Sequence, residues 1–167
     1  MMIIGIDPGK SGGIAISSGI EGEEVYPMPE TEGDIIDLFQ TILSKRRGGE
    51  DTKVYMESLT GYAGSAVPSS TMFTMAKYYW SWLFLFMNAG IQVNLVTSGN
   101  WQKGLSLGNK GSVRGMSSSQ KSKINRDWKN KLKGEAQRLY PHVEKITLKT
   151  CDALLVLEYG KRQQKGS

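Results

Sequence analysis

Met2-Ile3-Ile4-Gly5-Ile6-Asp7-Pro8-Gly9 is the stretch on which the fold turns. It is a run of apolar, mostly β-branched residues that closes on an Asp-Pro-Gly turn signal, which reads as a buried strand followed by a turn. Gly12 to Ile16 reads as a second strand and Gly22 to Tyr26 as a weaker third. The connections, Lys10-Ser11-Gly12 and Ser18-Gly19, are too short for a crossover, so these three strands form an antiparallel meander.

Beyond the meander the period changes. Thr31 is an N-cap with Asp34 three positions on, and Ile35, Ile36, Leu38, Phe39, Ile42 and Leu43 give the helix an apolar face. Lys45-Arg46-Arg47 suits its C-terminal dipole and Gly48-Gly49 ends it. Lys53 to Glu57 reads as a fourth strand. A loop rich in Gly, Ser and Pro runs from Gly61 to Ser70. A long helix, capped by Ser70 or Thr71, then reaches Asn88, and Ile91 to Val96 is a fifth strand. Gly104 to Ser119 is loop-like in composition, Gln120 to Tyr140 is a polar helix, and Thr150 to Gln163 is a final apolar one. Three antiparallel strands followed by alternating α/β units give a single α/β domain over residues 1–167: a five-stranded mixed sheet with helices on both faces.

Charge is segregated along this order. The net charge is +5, yet Asn100 to Lys133 holds nine basic residues against Asp127 alone, so this segment is +8 and the rest −3. A basic block of that kind is the footprint of a phosphate-bearing partner. Lys103, Lys110, Arg114, Lys121, Lys123, Lys129 and Lys131 are the candidate DNA contacts within it, with Lys10 and Ser11 in the first turn. The Gly-rich turn after Asp7 lacks the Gly-Lys-Ser/Thr ending of a phosphate-binding loop, so no nucleotide cofactor is expected. Cys151 is the only cysteine, which excludes a disulfide framework or a cysteine-based zinc site within one chain. The most apolar window, Tyr78 to Ala89, is too short to span a bilayer. The first strand begins almost at Met1, leaving no room for a signal or transit peptide. The expected location is therefore the cytoplasm of a bacterium or of a phage-infected host rather than an organelle.

Three carboxylates stand at matching places. Asp7 ends the first, central strand, Glu57 ends the fourth, and Asp152 lies in the first turn of the last helix. Carboxylates gathered there repel one another and need cations to stay ionised. Hard divalent ions with oxygen ligands supply that, and Mg2+ fits, with Mn2+ expected to substitute. Two such ions about 4 Å apart activate a water and stabilise a leaving oxygen in phosphodiester cleavage.

These residues resemble those of the RuvC-type Holliday junction resolvases. Ile4-Gly5-Ile6-Asp7-Pro8-Gly9 with Gly13-Ile14-Ala15 is similar to the first motif of that family, and Tyr55-Met56-Glu57-Ser58 to the second. Val96 to Lys103 is similar to its strand–turn–Trp-Lys segment, Ala136 to Pro141 to a helix end, and Cys151 to Leu155 with Glu158 to Arg162 to its last motif. The resemblance implies an RNase H-like fold and a homodimer. It implies a Mg2+-dependent endonuclease that resolves four-way DNA junctions by two symmetric nicks, with Asp7, Glu57 and Asp152 as catalytic metal ligands. The pattern departs at one place. Members usually carry a fourth acid or a histidine just before the last aspartate, where this chain has Thr147, Leu148, Lys149, Thr150 and Cys151. Three carboxylates suffice, or Glu144 reaches in, or activity is reduced; Lys149 offers positive charge to the scissile phosphate. His142 reads as a surface loop residue.

Two further expectations concern aromatic residues. Tyr62, in the loop after Glu57, is placed to stack at the open centre of a junction, while Phe73 reads as core. The helix from Thr71 to Asn88 is apolar nearly all round, so one face packs on the sheet and the other on a second copy, with Trp82 and Phe86 as the interface candidates. The competing functions are another RNase H-like nuclease, acting on RNA–DNA hybrids or transposase-like, and a junction-binding protein without catalysis.

Overall fold

A computed structural model of the chain describes residues 1–18, 22–46, 48, 50–59 and 68–166. The elements are β1 (Met2–Asp7), β2 (Gly13–Ser17), β3 (Glu23–Pro27), α1 (Glu32–Ser44), β4 (Thr52–Glu57), α2 (Ser69–Asn88), β5 (Val93–Val96), α3 (Ser98–Gly104), α4 (Ser118–Leu139) and α5 (Cys151–Lys165). The strands form one sheet in the order β3-β2-β1-β4-β5. β1 is central, antiparallel to β2 and parallel to β4, while β3 and β5 are the edges. The class is the mixed α/β sheet expected from the sequence, and the meander is present as read.

Side chains alternate across a strand, so the sheet has two apolar faces. Met2, Ile4, Ile6, Ile14, Ile16, Val54 and Met56 point to one face, where they meet Ile35, Phe39 and Ile42 of α1 and Tyr78, Trp82 and Phe86 of α2. Ile3, Ala15 and Tyr55 point to the other, beneath Trp101 of α3, Leu132 and Ala136 of α4 and the apolar run Ala153 to Leu157 of α5. Asp7 and Glu57 share the parity of Ile3 and Tyr55. They therefore belong to the face covered by α3, α4 and α5.

The local signals account for most boundaries. Thr31 caps α1 through its side chain, which accepts from the Asp34 amide at 3.1 Å. Ser117 and Gln120 form a reciprocal capping box at the start of α4, which lets a strongly polar sequence begin a helix without an apolar anchor. α3 is an addition to the sequence reading. Thr97 accepts from the Asn100 amide, and a cap directly after β5 starts a short helix there. The loop after it is held to the core by buried Leu105 and Leu107 and by the Lys131 ammonium, which donates to the Leu107 carbonyl at 2.7 Å.

α2 requires a correction. Trp82 and Phe86 are fully buried within the chain. Their rings stack at 5.9 Å, Phe86 meets Phe39 edge-on at 5.2 Å, and the Trp82 indole N–H points to Met28 Sδ at 3.0 Å. They face the sheet and cannot form an interface. The exposed side of α2 carries Phe73 (76% exposed), Trp80 (49%), Phe84 (59%) and Met87 (58%). Phe73 is thus not core. The apolar positions lie all round the helix in sequence, so composition could not say which half met the sheet.

α5 lies across β1 closer than ordinary helix–sheet packing, because Gly5 has no side chain. A Cβ there would stand 2.3 Å from the Leu157 amide nitrogen and 2.4 Å from the Ala153 carbonyl oxygen. At Gly160 the same helix clears the Tyr55 ring, where an added Cβ would come within 2.4 Å. Backbone cannot step aside as a rotamer can, so Gly5→Ala should destabilise the chain by about 3 kcal/mol, the upper end of overpacking. Urea denaturation read by circular dichroism checks this, and wild-type stability in the variant would contradict the close approach.

Candidate active site

The site is built where β1, β4 and α5 meet. β1 and β4 run parallel with Ile6 beside Met56, so the next residues, Asp7 and Glu57, end adjacent strands on the same face. Neighbouring strands lie about 4.8 Å apart, which brings the two carboxylates together by register alone. α5 begins above them and supplies Asp152 from its first turn, buried at 7% exposure. Gly5 lets that first turn descend to the sheet.

The three charges act on one another. Burial, followed by the charges of Asp152 and Glu57, pushes the Asp7 carboxyl up to about 7, against a smaller opposing pull from Lys129. Burial also raises Glu57 above the usual carboxylate range, opposed by a hydrogen bond that the Trp101 indole donates to Glu57 Oε2 at 2.8 Å. Asp152 is engaged from two sides. The Lys129 ammonium pairs with Oδ2, and the Cys151 thiol lies 3.3 Å from Oδ1. Burial and the Asp152 charge push that thiol up to about 12, so it remains protonated.

Two of these partners escape the sequence reading. Trp101 lies inside one of the resembling segments, but nothing in the spacing links it to Glu57, 44 positions away. Lys129 reads as one of many basic residues. Its signal is its phase: with Leu132 and Ala136 it falls on the one buried stripe of α4, at spacings of three and four.

The other candidates are distributed differently. Lys10 and Ser11 are exposed at the tip of the β1–β2 turn, which folds back on Asp7. The Gly12 amide donates to the Gly9 carbonyl at 2.8 Å, and a Cβ on Gly12 would meet the Asp7 carbonyl oxygen at 2.1 Å. Lys103, Lys110, Arg114, Lys121 and Lys123 are exposed along α3, its following loop and the start of α4. Lys131 fastens the loop and lies 5.2 Å over the Trp128 ring. Glu144 and Lys149 are exposed in the connection before α5. The charges acting on both Asp7 and Glu57 are those of Asp152 and Lys129, with Glu57 acting on Asp7 as well. His142 is an exposed loop residue whose ring nitrogen meets Glu23 at 2.5 Å, away from the cluster. Tyr62 lies outside the described residues.

The donor set suits a hard divalent cation: three carboxylates, all oxygen, two of them raised toward protonation by burial and then by neighbouring negative charge. Lys129 already stands in for such a cation at Asp152. Among the described residues, no three acid, histidine or cysteine side chains are drawn together closely enough to enclose an ion as they stand.

An RNase H-like α/β domain with carboxylates at the ends of its two central parallel strands is the class that this fold and site define. Two structures of RuvC are among the solved structures that it resembles. Thermus thermophilus RuvC in complex with a Holliday junction substrate aligns with a TM-score of 0.57 at 15% identity, over 98% of this chain and 96% of that one. A second Thermus thermophilus RuvC structure aligns with the same TM-score of 0.57 at 13% identity, over 98% and 97%. No family model matches the chain, and no curated protein matches it. At these identities the likeness establishes the fold, which spans nearly the whole of both chains.

The raised carboxyl of Asp7 has a consequence for stability in metal-free buffer. The folded chain keeps this proton to about pH 7, whereas the ordinary value is 3.8. The unfolded chain therefore releases it first as pH rises, and stability falls between those two values and levels off above about 7. Asp7→Asn removes the ionisation. With EDTA present it should be more stable than wild type at pH 8, by up to about 4 kcal/mol, with the gain shrinking toward pH 4. Denaturation curves at several pH values check this. A variant less stable than wild type at pH 8 would contradict the raised carboxyl that burial and the neighbouring acids give Asp7.

Proposed function

We propose that this chain is a divalent-metal-dependent endonuclease that acts on four-way DNA junctions, as a homodimer, by paired nicks. The observation that carries this reading is the convergence of Asp7, Glu57 and Asp152 at the ends of β1 and β4, within a fold whose solved relative holds a Holliday junction. A general binding module has no use for three acids at one corner of the sheet, two of them pushed up by burial and then by neighbouring negative charge.

Asp7, Glu57 and Asp152 would hold Mg2+, with Mn2+ as its substitute. A divalent ion bound there supplies a hydroxide nucleophile from water and charge for the departing oxygen. The chain's own residues set the rest. Trp101 fixes the rotamer of Glu57 by its indole N–H. Lys129 holds Asp152 and brings positive charge to the place where a phosphate would lie. Lys10 and Ser11 sit at the lip of the site. Lys103, Lys110, Arg114, Lys121 and Lys123 would follow the backbone of DNA arms outward from it, through contacts that position without reading sequence. No helix among the described residues is long and apolar enough to cross a membrane.

The dimer rests on the exposed stripe of α2. Phe73, Trp80, Phe84 and Met87 recur at roughly heptad spacing, and Trp80 and Phe84 already stack at 5.3 Å. Each such side chain gains roughly 1.5–3 kcal/mol on burial. A twofold axis would bury the stripe on its own copy and present two sites to two strands of like polarity.

Two sets of variants test the reading. Asp7→Asn, Glu57→Gln and Asp152→Asn should each lower junction nicking by about a thousandfold or more, a loss of several kcal/mol in transition-state stabilisation, and leave junction binding intact in a gel-shift assay. Nicking at wild-type rates by any of them would overturn the assignment. Equal cutting of linear RNA–DNA hybrid would favour the hybrid-nuclease reading, and junction binding without nicking the non-catalytic one. For the dimer, Phe84→Glu should sediment as a monomer at micromolar concentration where wild type sediments as a dimer. A monomeric wild type, free and on the junction, would rule the dimer out.

A further inference from the structure

Asp127 stands alone among nine lysines and arginines between Asn100 and Lys133. On α4 it lies one turn from Lys123 and one turn from Lys131, the spacing at which helical ion pairs form. Neither pair forms. Among the described residues the Asp127 side chain makes no hydrogen bond or ion pair, and Lys131 donates instead to the Leu107 carbonyl at 2.7 Å. Asp127 lines a cleft of about 290 Å³ between α4 and the loop after α3, together with Ile124, Trp128 and Lys131 of α4 and Asn109 and Lys110 of the loop. Both walls are fixed before anything binds. Leu132 and Ala136 hold α4 on the core. Buried Leu105 and Leu107 hold the loop, and Gly108, at φ +79°, turns the chain from Leu107 toward Asn109. The Lys131 ammonium spans the two walls, between the Leu107 carbonyl and the Trp128 ring, 5.2 Å from its centre. The volume is at the small end for ligand sites, which run from about 300 to 1,000 Å³, so the cleft admits one planar group and not a duplex. Trp128 directly precedes Lys129, whose ammonium pairs with Asp152; DNA held at the carboxylates therefore passes beside this cleft.

We propose that this cleft takes a single unpaired base of bound DNA, and that Asp127 selects guanine there. This rests on the branched-DNA reading above and adds a second contact to it, away from the carboxylates. A carboxylate on a phosphate-binding surface weakens binding to every sequence alike, because it repels the backbone. Its compensation is a donor on the partner, and in DNA the bases offer donors where the phosphates offer none. Guanine presents two adjacent N–H groups on its pairing edge, N1–H and the N2 amino group, which match the two oxygens of one carboxylate. Its O6, next to them, is an acceptor for the Lys110 ammonium or the Asn109 amide. Thymine offers one N–H flanked by carbonyls, and cytosine and adenine one amino group with no second donor beside it. Trp128 and Ile124 supply the apolar surface against which a flat ring rests. A branch point interrupts duplex pairing, which lowers the cost of presenting such a base.

The test is read as binding, in EDTA, so that no strand is cut. Fluorescence anisotropy compares the full chain on short oligothymidylates that carry one central guanine, one inosine in its place, or thymine throughout. Inosine keeps N1–H and O6 and lacks the amino group. Wild type should bind the guanine strand at least about fivefold tighter than the all-thymine strand, the lower end of what a bidentate base contact gives, with inosine between. Asp127→Ala, at an exposed helix position that tolerates alanine, should lose the preference and bind the all-thymine strand no more weakly than wild type. An acid that acts only by its charge would give wild type no base preference, and its removal would strengthen binding to all three strands equally. 6-Thioguanine in place of the guanine should cross-link under long-wave ultraviolet light to Trp128, Asn109 or Lys110, mapped by mass spectrometry. No preference in wild type, a preference kept by Asp127→Ala, or a cross-link elsewhere overturns the inference and leaves the nuclease reading standing. Failure of wild type to bind these strands or a four-way junction overturns both. The expected base preference with no nicking of junctions in Mg2+ overturns the nuclease reading alone.

Discussion

The backbone of α5 rests on the backbone of β1 with nothing between them. At Gly5 there is no room for even a methyl group, because the Leu157 amide and the Ala153 carbonyl already fill the space where it would go. This contact sets the height of the last helix above the sheet, and with it the position of Asp152. A strand register cannot bring a third carboxylate to Asp7 and Glu57, since β2 on the other side of β1 contributes Gly13 opposite Asp7. The third must come from above, and only a helix pressed onto the sheet delivers it. Gly160 extends the same contact over Tyr55, so both the start and the later turns of α5 are docked. Fold and site therefore have one origin: the glycine that permits the packing lies two residues before the aspartate that the packing serves.

The cluster so formed is unfavourable by itself. Asp7 and Glu57 are both shifted toward the neutral acid, by burial and by neighbouring negative charge. Trp101 and Lys129 offset part of this, one by a hydrogen bond to Glu57 and the other by an ion pair with Asp152. What remains uncompensated is a local demand for positive charge at the ends of two parallel strands. Groups that would destabilise a merely structural protein are those that a bound cation would satisfy.

Much of this was legible in the sequence, for identifiable reasons. Strand β1 could be read because its apolar run is short, β-branched and closed by Asp-Pro-Gly, and the meander followed from loops too short to cross over. Asp7 and Glu57 were legible because each ends a strand, and Asp152 because it opens an apolar helix. Partnerships were not legible. The bond from Trp101 to Glu57 and the pairing of Lys129 with Asp152 join residues far apart in the chain, and only the packing of α3 and α4 on α5 brings them together. α2 failed for a different reason. Its aromatics surround the helix, so the sequence indicated that a second partner was needed but not which residues would meet it. Trp82 and Phe86 lie in the chain's own core, and Phe73, Trp80, Phe84 and Met87 form the outward stripe. Glu144, one of the three alternatives for the missing fourth acid, is exposed, and the additional charge paired within the cluster is the positive one of Lys129.

The central claim is that these carboxylates, in this fold, cut branched DNA at its branch. The most direct measurement maps the nicks that the wild-type chain makes in Mg2+ on a four-way junction, with each of the four strands end-labelled in turn and a linear duplex of the same sequence alongside. The account predicts two nicks, symmetric about the branch point, in two opposite strands of like polarity, with ends that ligase reseals and none when EDTA replaces Mg2+. Cuts distributed along the arms, or equal cutting of the linear duplex, would contradict it.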